Sequence, residues 1–473
     1  MSEDLAPAPS GADVASAVPT IAAGRWQLWA TASSHRRVLA AGLTVGFFTA
    51  GVQACSLLKE MVVAGHFGAG DKLDAFFIAF LLPSFGINVL GSSLNSALLP
   101  AYVGARERDG VVAAHAMLAG VTGRTLALLA GLSVVLAVAF PALLPLMASS
   151  FSPAKLHLTT TLFYLLLPSL ICSALAAVWS GVLNAHDAFG VAAMAPAVVP
   201  IAIIVAVLSL GAGADIHAVA AGVTAGALLQ CAILARALVG HGVSLRPRWG
   251  AMTADIREVY RQYAPAMGGA ILASSSPLID QSMAAMLGSG SVATFNYGTK
   301  LVSAVLGVGM VAVGTAVLPQ FSRLAANGEW LVLREAFRRY TLLMLLLLIP
   351  LTIAIIALSE PLVRLVFERG AFGPDDTRRV AFIQQLLALQ LPFFLVGILV
   401  VRLISAVRRN DLLMWGAATN VTLNVVFNLL LMKRLGVAGI ALSTTLVYVI
   451  AATGMGIVLW RHLGRLQRNA ADA

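Results

Sequence analysis

Long apolar stretches, separated by short polar segments, run along the chain from residue 38 to residue 460. About 20 apolar residues in a helix cross roughly 30 Å of hydrocarbon, and twelve stretches of that kind can be placed. They cover 38–64, 74–100, 113–147, 157–184, 190–211, 216–239, 260–287, 293–319, 339–358, 380–407, 412–432 and 437–460. The pattern predicts an all-α integral membrane protein with about twelve transmembrane helices.

The two halves of the chain carry similar short motifs about 220 residues apart. Phe67–Gly70 and Ala97–Pro100 in the first half correspond to Leu287–Gly290 and Ala316–Pro319 in the second. This repetition indicates a duplicated bundle. Six spans in each half is an even number, so we expect two pseudo-symmetric six-helix lobes related by an axis along the membrane normal.

The predicted spans divide the chain into five parts. These are a cytoplasmic tail with an interfacial anchor at Trp26 and Trp29 (1–37), an N-lobe holding spans one to six (38–239), a cytoplasmic inter-lobe linker (240–259), a C-lobe holding spans seven to twelve (260–460) and a second cytoplasmic tail (461–473). Neither the linker nor the outer loop at 359–379 is long enough to form a further domain.

Composition excludes several classes of protein. With a mean hydropathy of +0.90 and 11% charged residues, the chain has too little polar surface for a soluble globule. The three cysteines lie inside apolar runs without CxxC spacing, which indicates neither a disulfide framework nor a metal site. Motifs for a phosphate-binding loop, a zinc protease or a serine hydrolase are also missing. We therefore expect a transporter without a cofactor, not an enzyme.

Basic residues are distributed unequally between the two membrane faces. If both termini are cytoplasmic, the inner loops and tails hold nineteen of the 31 Lys and Arg residues and the outer loops hold eight. This asymmetry supports that orientation. It also accounts for the net charge of +10 through anionic membrane lipids, so no nucleic-acid partner is expected.

Ionisable residues inside the spans are candidates for function because they are costly in hydrocarbon. Lys59 and Glu60 are adjacent, so on a helix they point about 100° apart and cannot simply neutralise each other side by side. Either one of the two snorkels or pairs with another helix, or Lys59 faces a central cavity and binds an anion. Lys300 lies in the corresponding region of the second half. Two cations from both halves would suit a pyrophosphate.

Asp280 lies in the middle of span seven without a neighbour in sequence that could neutralise it. Asn424 and Asn428 are one turn apart on span eleven, and Thr444 follows on span twelve, so three helices could direct oxygen atoms to one point. Such oxygens suit Na⁺, and a lone carboxylate also suits a proton. The alternative is a buried Asp whose hydrogen bonds serve helix packing.

Three further motifs occur in a fixed order: Phe67–Pro83, Gly181–Ala185 and Phe367–Phe372. With them, the chain resembles the MviN/MurJ family of the multidrug/oligosaccharidyl-lipid/polysaccharide exporter superfamily from about residue 40 to residue 460. The resemblance implies a V-shaped exporter fold that flips undecaprenyl-pyrophosphate-linked saccharides by alternating access.

The resemblance also implies site residues. The cavity cations of the family fall here on Gln53, Lys59, Asn88 (or its neighbour Ile87) and Lys300, of which two remain basic; Asp74, from the first motif, is assigned to the same substrate site. A sodium site found in some members falls on Asp280, Asn424, Asn428 and Thr444, with Asn428 in place of an Asp. Family members usually have fourteen spans, whereas twelve are predicted here.

We expect a flippase of the bacterial cytoplasmic membrane that moves lipid II or an exopolysaccharide or O-antigen unit. A cation-coupled multidrug exporter of the same superfamily and a non-transporting membrane scaffold are the alternatives. The expected partners are the lipid-linked glycan, membrane lipids and envelope glycosyltransferases, and the protein is expected to act as a monomer. Coupling to Na⁺ or H⁺ is the expected energy source, and no other metal is expected.

Overall fold

A computed structural model describes residues 34–246, 249, 252–407 and 409–471. The predicted anchor at Trp26 and Trp29 lies outside the described residues. Fourteen α-helices follow one another in the described part: α1 Ser34–Phe67, α2 Asp71–Gly86, α3 Ser92–Met147, α4 Pro153–Ala185, α5 Phe189–Met194, α6 Val198–Leu210, α7 Ile216–Gly240, α8 Ala254–Ala285, α9 Ser291–Ala326, α10 Trp330–Phe367, α11 Pro374–Ala388, α12 Leu391–Ala406, α13 Asn410–Leu435 and α14 Val437–Ala471.

These helices account for the twelve predicted spans. A π-helical turn, Ile87–Gly91, joins α2 to α3, and α3 breaks at Gly110, whose φ of 84° is non-helical. Spans two and three are therefore the two sides of this break. Spans five and ten each consist of two consecutive helices, α5 with α6 and α11 with α12. The all-α fold expected from the apolar pattern is confirmed.

By length and apolarity alone, nine helical segments of the described chain qualify as membrane spans, and one of them, Asp71–Met147, is 77 residues long and includes the break. Helices α8 and α9 are not among the nine. Helix α8 holds Asp280 and a run of serines, which lowers its hydropathy. A helix with these residues needs protein neighbours that satisfy its polar groups.

Buried apolar residues form three clusters, which define the V shape. We call the membrane side where α1 ends and α2 begins the outer side, following the predicted orientation. The largest cluster joins the outer ends of both halves, from Val63 and Leu73 to Val292, Phe367 and Ile440. At the inner side the second cluster lies mainly in the first half, and the third lies wholly in the second half. The lobes thus share one core outside and have separate cores inside.

The chain passes between the lobes within α8. The predicted linker extended from 240 to 259, whereas α7 ends at Gly240 and α8 already begins at Ala254. Thr253 caps this helix by accepting a hydrogen bond from the backbone N–H of Ile256, at 3.4 Å. Ile256 and Val259 belong to the inner core of the first half. The inner end of α8 therefore packs on the first lobe, and its outer end on the second.

The close packing of α7 on α6 in the first lobe depends on glycine. A Cβ atom at Gly222 of α7 would lie 2.7 Å from the Cα of Ile203 in α6, and nothing flexible separates the two backbones. Small residues allow membrane helices to approach in this way. A Cβ at Gly131 of α3 would meet nothing within 4 Å.

We therefore expect Gly222→Leu to separate α6 from α7 and to destabilise the protein by about 1–3 kcal/mol, the usual cost of overpacking. Thermal unfolding of the purified protein in detergent measures this loss. Gly131→Leu is the matched control, because it makes the same change in open space, and it should unfold near the wild-type temperature. Equal unfolding temperatures for Gly222→Leu and wild type would contradict the packing described here.

Candidate functional site

Two lysines from opposite halves share one carboxylate between the lobes. Lys59 and Glu60 lie on α1, and Lys300 lies on α9. The Nζ atoms of Lys59 and Lys300 are each 2.7 Å from the same atom, Oε1 of Glu60. Both ammonium groups therefore lie side by side, with one negative charge between them.

This arrangement corrects the expectation that Lys59 and Glu60 cannot neutralise each other. The Cβ atoms do diverge on the helix, but the four-carbon stem of lysine is long enough for its Nζ to return to the neighbouring carboxylate. Sequence reasoning also left Glu60 out of the site. The sequence did contain an indication of its role, because a carboxylate predicted inside a span next to a lysine needs a compensating charge.

Burial and charge make this cluster suitable for an anion. The Glu60 side chain is 7% exposed, whereas those of Lys59 and Lys300 are 23% and 33% exposed. The carboxylate is thus covered while both cations remain accessible. Two positive charges against one negative charge leave an excess of one positive charge for a ligand to neutralise.

Gln53 and Asn88, the other polar positions assigned to this site, do not join the cluster. Both side chains are exposed. Gln53 precedes Glu60 by seven residues and so lies on the same face of α1, two turns further inward. Asn88 lies in the π-helical turn after α2, where its backbone carbonyl accepts a hydrogen bond from Ser92. Their contribution to a substrate site stays a prediction.

Asp74 has a different role from the substrate-binding role assigned to it. Its carboxylate is buried, with 1% exposure. It accepts backbone hydrogen bonds from Gly290 at 2.7 Å and Ala293 at 2.8 Å, and Lys155 contacts it at 2.9 Å. A carboxylate at a helix start satisfies free N–H groups and interacts favourably with the helix dipole. Asp74 of the first lobe therefore caps α9 of the second lobe.

Close backbone contacts surround this cap and complete what we call the outer seam, formed by 65–74, 150, 285–293 and 369–371. The N–H of Ala371 donates to the carbonyl of Gly65 at 2.8 Å. The hydroxyl of Ser150 lies 2.7 Å from the carbonyl oxygen of Ala285 and 2.6 Å from that of Leu287, and its single hydrogen is shared between them. The two lobes are thus joined by directional hydrogen bonds as well as by the shared core.

Glycine is required where the seam is narrowest. Gly290 has a φ of 76°, and a Cβ there would lie 2.4 Å from the carbonyl oxygen of Ala69. Gly370 has a φ of 58°, and its Cβ would lie 2.2 Å from the oxygen of Gly65. A residue with a Cβ atom is disfavoured at both positions, because the backbone is left-handed and there is no space for the Cβ. The motifs noticed in the sequence thus form the contact surface between the lobes.

The four residues predicted for a cation site do converge in the second lobe. Asp280 accepts hydrogen bonds from the amides of Asn424 at 2.9 Å and Asn428 at 2.7 Å, both on Oδ1, and from the hydroxyl of Thr444 at 3.2 Å on Oδ2. Asp280 is 3% exposed, and both asparagines are buried at least as fully. The three helices α8, α13 and α14 meet at this carboxylate.

The side chains of this second cluster are compatible with both predicted roles of Asp280, a cation site and a packing site. With the amide nitrogens towards Asp280, the cluster is a satisfied hydrogen-bond network that packs three helices. Turning either amide by 180° would present its oxygen instead, as a hard cation requires. The Oδ1 atom of Asn428 is buried without a hydrogen-bond partner among the described residues. No group of three or more His, Cys, Asp or Glu residues in the described chain could hold a metal ion.

A family model and a curated relative both connect this chain to the same family. A family model described as lipid II flippase MurJ matches residues 63–470. A probable lipid II flippase MurJ of Rhizobium meliloti is 30% identical over 434 residues, which covers 89% of this chain and 81% of the relative.

Two solved structures share the fold. One, a lipid II flippase MurJ in an inward closed conformation, has a TM-score of 0.75 at 20% identity and covers 91% of both chains. The other is an inward-facing multidrug resistance MATE family transporter, with a TM-score of 0.71 at 14% identity, covering 88% of this chain and 96% of that one. At these identities the structures support the fold alone.

The seam yields a prediction about its outer closure. We expect the outer seam to be open more of the time in Asp74→Asn than in the unaltered protein, because hydrogen bonds to a charged group contribute about 1.5–3 kcal/mol each. In a variant whose native cysteines are replaced, a cysteine at the fully buried position 292 reports opening. A membrane-impermeant maleimide added outside should label it at least tenfold faster than in the background with Asp74.

Asp215→Asn is the matched control for this measurement. Asp215 lies at the same membrane side and pairs with Lys72, but its side chain is 50% exposed and it lies outside the outer seam. Its substitution should leave the labelling rate close to that of the background. If Asp74→Asn and Asp215→Asn label equally fast, the cap on α9 does not hold the seam closed.

Proposed function

Because the chain belongs to the MurJ family of lipid II flippases, we propose that it moves undecaprenyl-pyrophosphate-linked saccharide precursors across the bacterial cytoplasmic membrane by alternating access. The observation that carries this proposal is the pair of accessible lysines from opposite lobes on the buried Glu60 carboxylate. A membrane-embedded site with excess positive charge suits an anionic headgroup. Lipid II is the cargo named for the family's members.

The lysine pair is suited to a pyrophosphate by its geometry. Glu60 holds both ammonium groups beside each other before a ligand arrives, so their positions are fixed in advance. Each ammonium group has three donors, and a pyrophosphate offers more charge and more acceptor oxygens than the single carboxylate. The cargo can therefore bind Lys59 and Lys300 beside Glu60, because each ammonium group has donors left over after its bond to the buried carboxylate.

The closed outer seam determines from which membrane side the cargo enters. The lysine site lies eight residues before the end of α1, which corresponds to about 12 Å below the seam. With the seam closed, cargo reaches the lysines from the inner side. Release to the outer side requires breaking the Asp74 hydrogen bonds to α9. Since α9 also bears Lys300, the same helix holds the outer closure and one cargo cation.

A drug exporter of the same superfamily is the second candidate, and the shared fold supports it. Its usual cationic substrates would need acidic or aromatic partners, whereas the accessible charges here are lysines. An exopolysaccharide or O-antigen unit linked to the same pyrophosphate lipid would satisfy the site as lipid II does. A scaffold without transport activity would not need the lysines at all.

Orientation, partners and ion coupling rest on other features of the chain. Both termini are placed in the cytoplasm because of the excess of basic residues in the inner loops. One chain supplies both lobes of the site, which supports a monomer, and envelope glycosyltransferases that consume the flipped lipid are the expected protein partners. The Asp280 cluster would couple transport to Na⁺ or H⁺.

Loss of either lysine should weaken cargo binding. We expect Lys300→Ala and Lys59→Ala to cost about 1.5–3 kcal/mol each, a roughly 10- to 150-fold rise in Kd for a pyrophosphate lipid in nanodiscs. Lys72→Ala is the matched control, because Lys72 is 59% exposed and pairs with the exposed Asp215. Full transport by Lys300→Ala would exclude this binding site.

Complementation identifies the cargo. Expression in cells depleted of their own lipid II flippase should restore growth if lipid II is transported, and Lys300→Ala should not restore it at equal protein levels. Failure of the unaltered chain to restore growth, together with tight binding of pyrophosphate lipids, would favour an exopolysaccharide or O-antigen unit. Failure of both would contradict the flippase proposal.

The Asp280 cluster predicts ion dependence. In proteoliposomes at fixed pH, transport should respond to a sodium gradient, and Asp280→Asn should abolish the response because the site then has no negative charge. Asp411→Asn, which removes a carboxylate paired with Arg409 at the surface, should keep it. A response to pH alone would assign proton coupling, and transport that depends on neither ion would leave Asp280 as a packing residue.

A further inference from the structure

A basic pocket lies at the inner end of the second lobe, apart from the lysine site. Four arginines line it, one at the start of α10 and three near the end of α14: Arg334, Arg461, Arg465 and Arg468. Its volume is about 460 Å³. Arg461, Arg465 and Arg468 follow one another at intervals of four and three residues, so they project from one face of the helix.

The charge in this pocket is not compensated by acidic side chains. Among the described residues, no carboxylate lies within salt-bridge distance of any of the four arginines. Arg334 is held in place because its guanidinium lies 3.9 Å from the centre of the Trp460 ring and donates to Gln467 at 3.4 Å. Its Nε is nevertheless buried without a hydrogen-bond partner. The pocket thus presents ready donors for an anion.

The surroundings of the pocket indicate where such an anion comes from. Trp460 and the arginines begin where about 20 residues of α14 have crossed the membrane, which is the depth of lipid headgroups. One turn towards the membrane, Ile457 and Val458 are 53% and 50% exposed. On α10, Leu342 and Leu346 are also exposed. Exposed apolar residues on both helices that line the pocket therefore lie on its membrane side, where acyl chains can cover them.

We propose that this pocket binds the phosphate headgroup of an anionic phospholipid of the inner leaflet. The phosphate lies among Arg334, Arg461, Arg465 and Arg468, while the acyl chains lie on the apolar residues of α10 and α14. The lipid bridges the two helices and stabilises the inner core of the second lobe. This site is separate from the cargo site, whose lysines lie on α1 and the outer half of α9.

Two variants remove the site in different ways. The triple change Arg461→Gln, Arg465→Gln, Arg468→Gln removes three charges. Gly464→Leu instead fills the pocket, and it should not disturb the helix because a Cβ at Gly464 meets nothing within 4 Å. As a matched control, Arg236→Gln, Arg257→Gln, Arg323→Gln removes three exposed charges from the same membrane side.

Native mass spectrometry of the detergent-purified full chain measures the binding of phosphatidylglycerol and of phosphatidylcholine with the same acyl chains. We expect one phosphatidylglycerol to bind the wild type at least tenfold more tightly than phosphatidylcholine. A basic residue at a membrane surface contributes about fivefold to the affinity for anionic lipid, so the triple variant should bind roughly a hundredfold more weakly. Gly464→Leu should lose the site as well, and the control triple should retain it within about twofold.

The following results would overturn the proposal. One is that both pocket variants bind phosphatidylglycerol like the wild type. Another is that inorganic phosphate displaces the lipid at equal concentration, which would make the ligand a soluble anion. A third is that a pyrophosphate lipid displaces it tenfold more effectively, which would assign the pocket to the cargo. Because Lys59 and Lys300 are unchanged in all variants, loss of lipid binding here is distinct from loss of cargo binding.

Discussion

A buried carboxylate needs hydrogen-bond donors from the protein itself. Three carboxylates buried in the described part of the chain obtain these donors from other helices and thereby hold the helices together. Glu60 finds Lys59 and Lys300 and so joins α1 to α9. Asp74 finds the free N–H groups at the start of α9. Asp280 finds two amides and a hydroxyl on α13 and α14. An unpaired charge at any of these places would cost several kcal/mol.

Helix α9 connects the transport proposal to the closure of the protein, because two of these carboxylates act on it. At its outer end it receives Asp74, and nine residues later it contributes Lys300 to Glu60. A helix is stiff over that length. A ligand that binds Lys300 and a change in the Asp74 cap therefore act on the same rigid helix. Binding of an anionic cargo to Lys300, beside Glu60, is thus mechanically connected to the seam that must open for its release.

The second lobe differs from the first at the inner side. Its inner core is a separate cluster formed by α9, α10, α12 and α14, with neighbours from α13 at its edge. The basic pocket lies at the edge of that cluster, where a phospholipid would add contacts between α10 and α14. Membrane lipid then serves as a structural element of one lobe, while the other lobe packs against the inner end of α8.

The sequence by itself determined the all-α membrane fold, predicted the duplicated lobes and singled out Lys300 and Asp280 as charged residues inside spans. Apolar length and the spacing of residues along a helix are local properties, and they decide these points without knowledge of the neighbours. Only the tertiary structure decided what Glu60 and Asp74 do, because their partners lie about 240 and 220 residues away in sequence. Periodicity places a side chain on a face of its own helix, but the helix that faces it depends on packing across the seam. The arginine pocket was hidden for the same reason, since Arg334 and Arg465 are brought together only by the packing of α10 against α14.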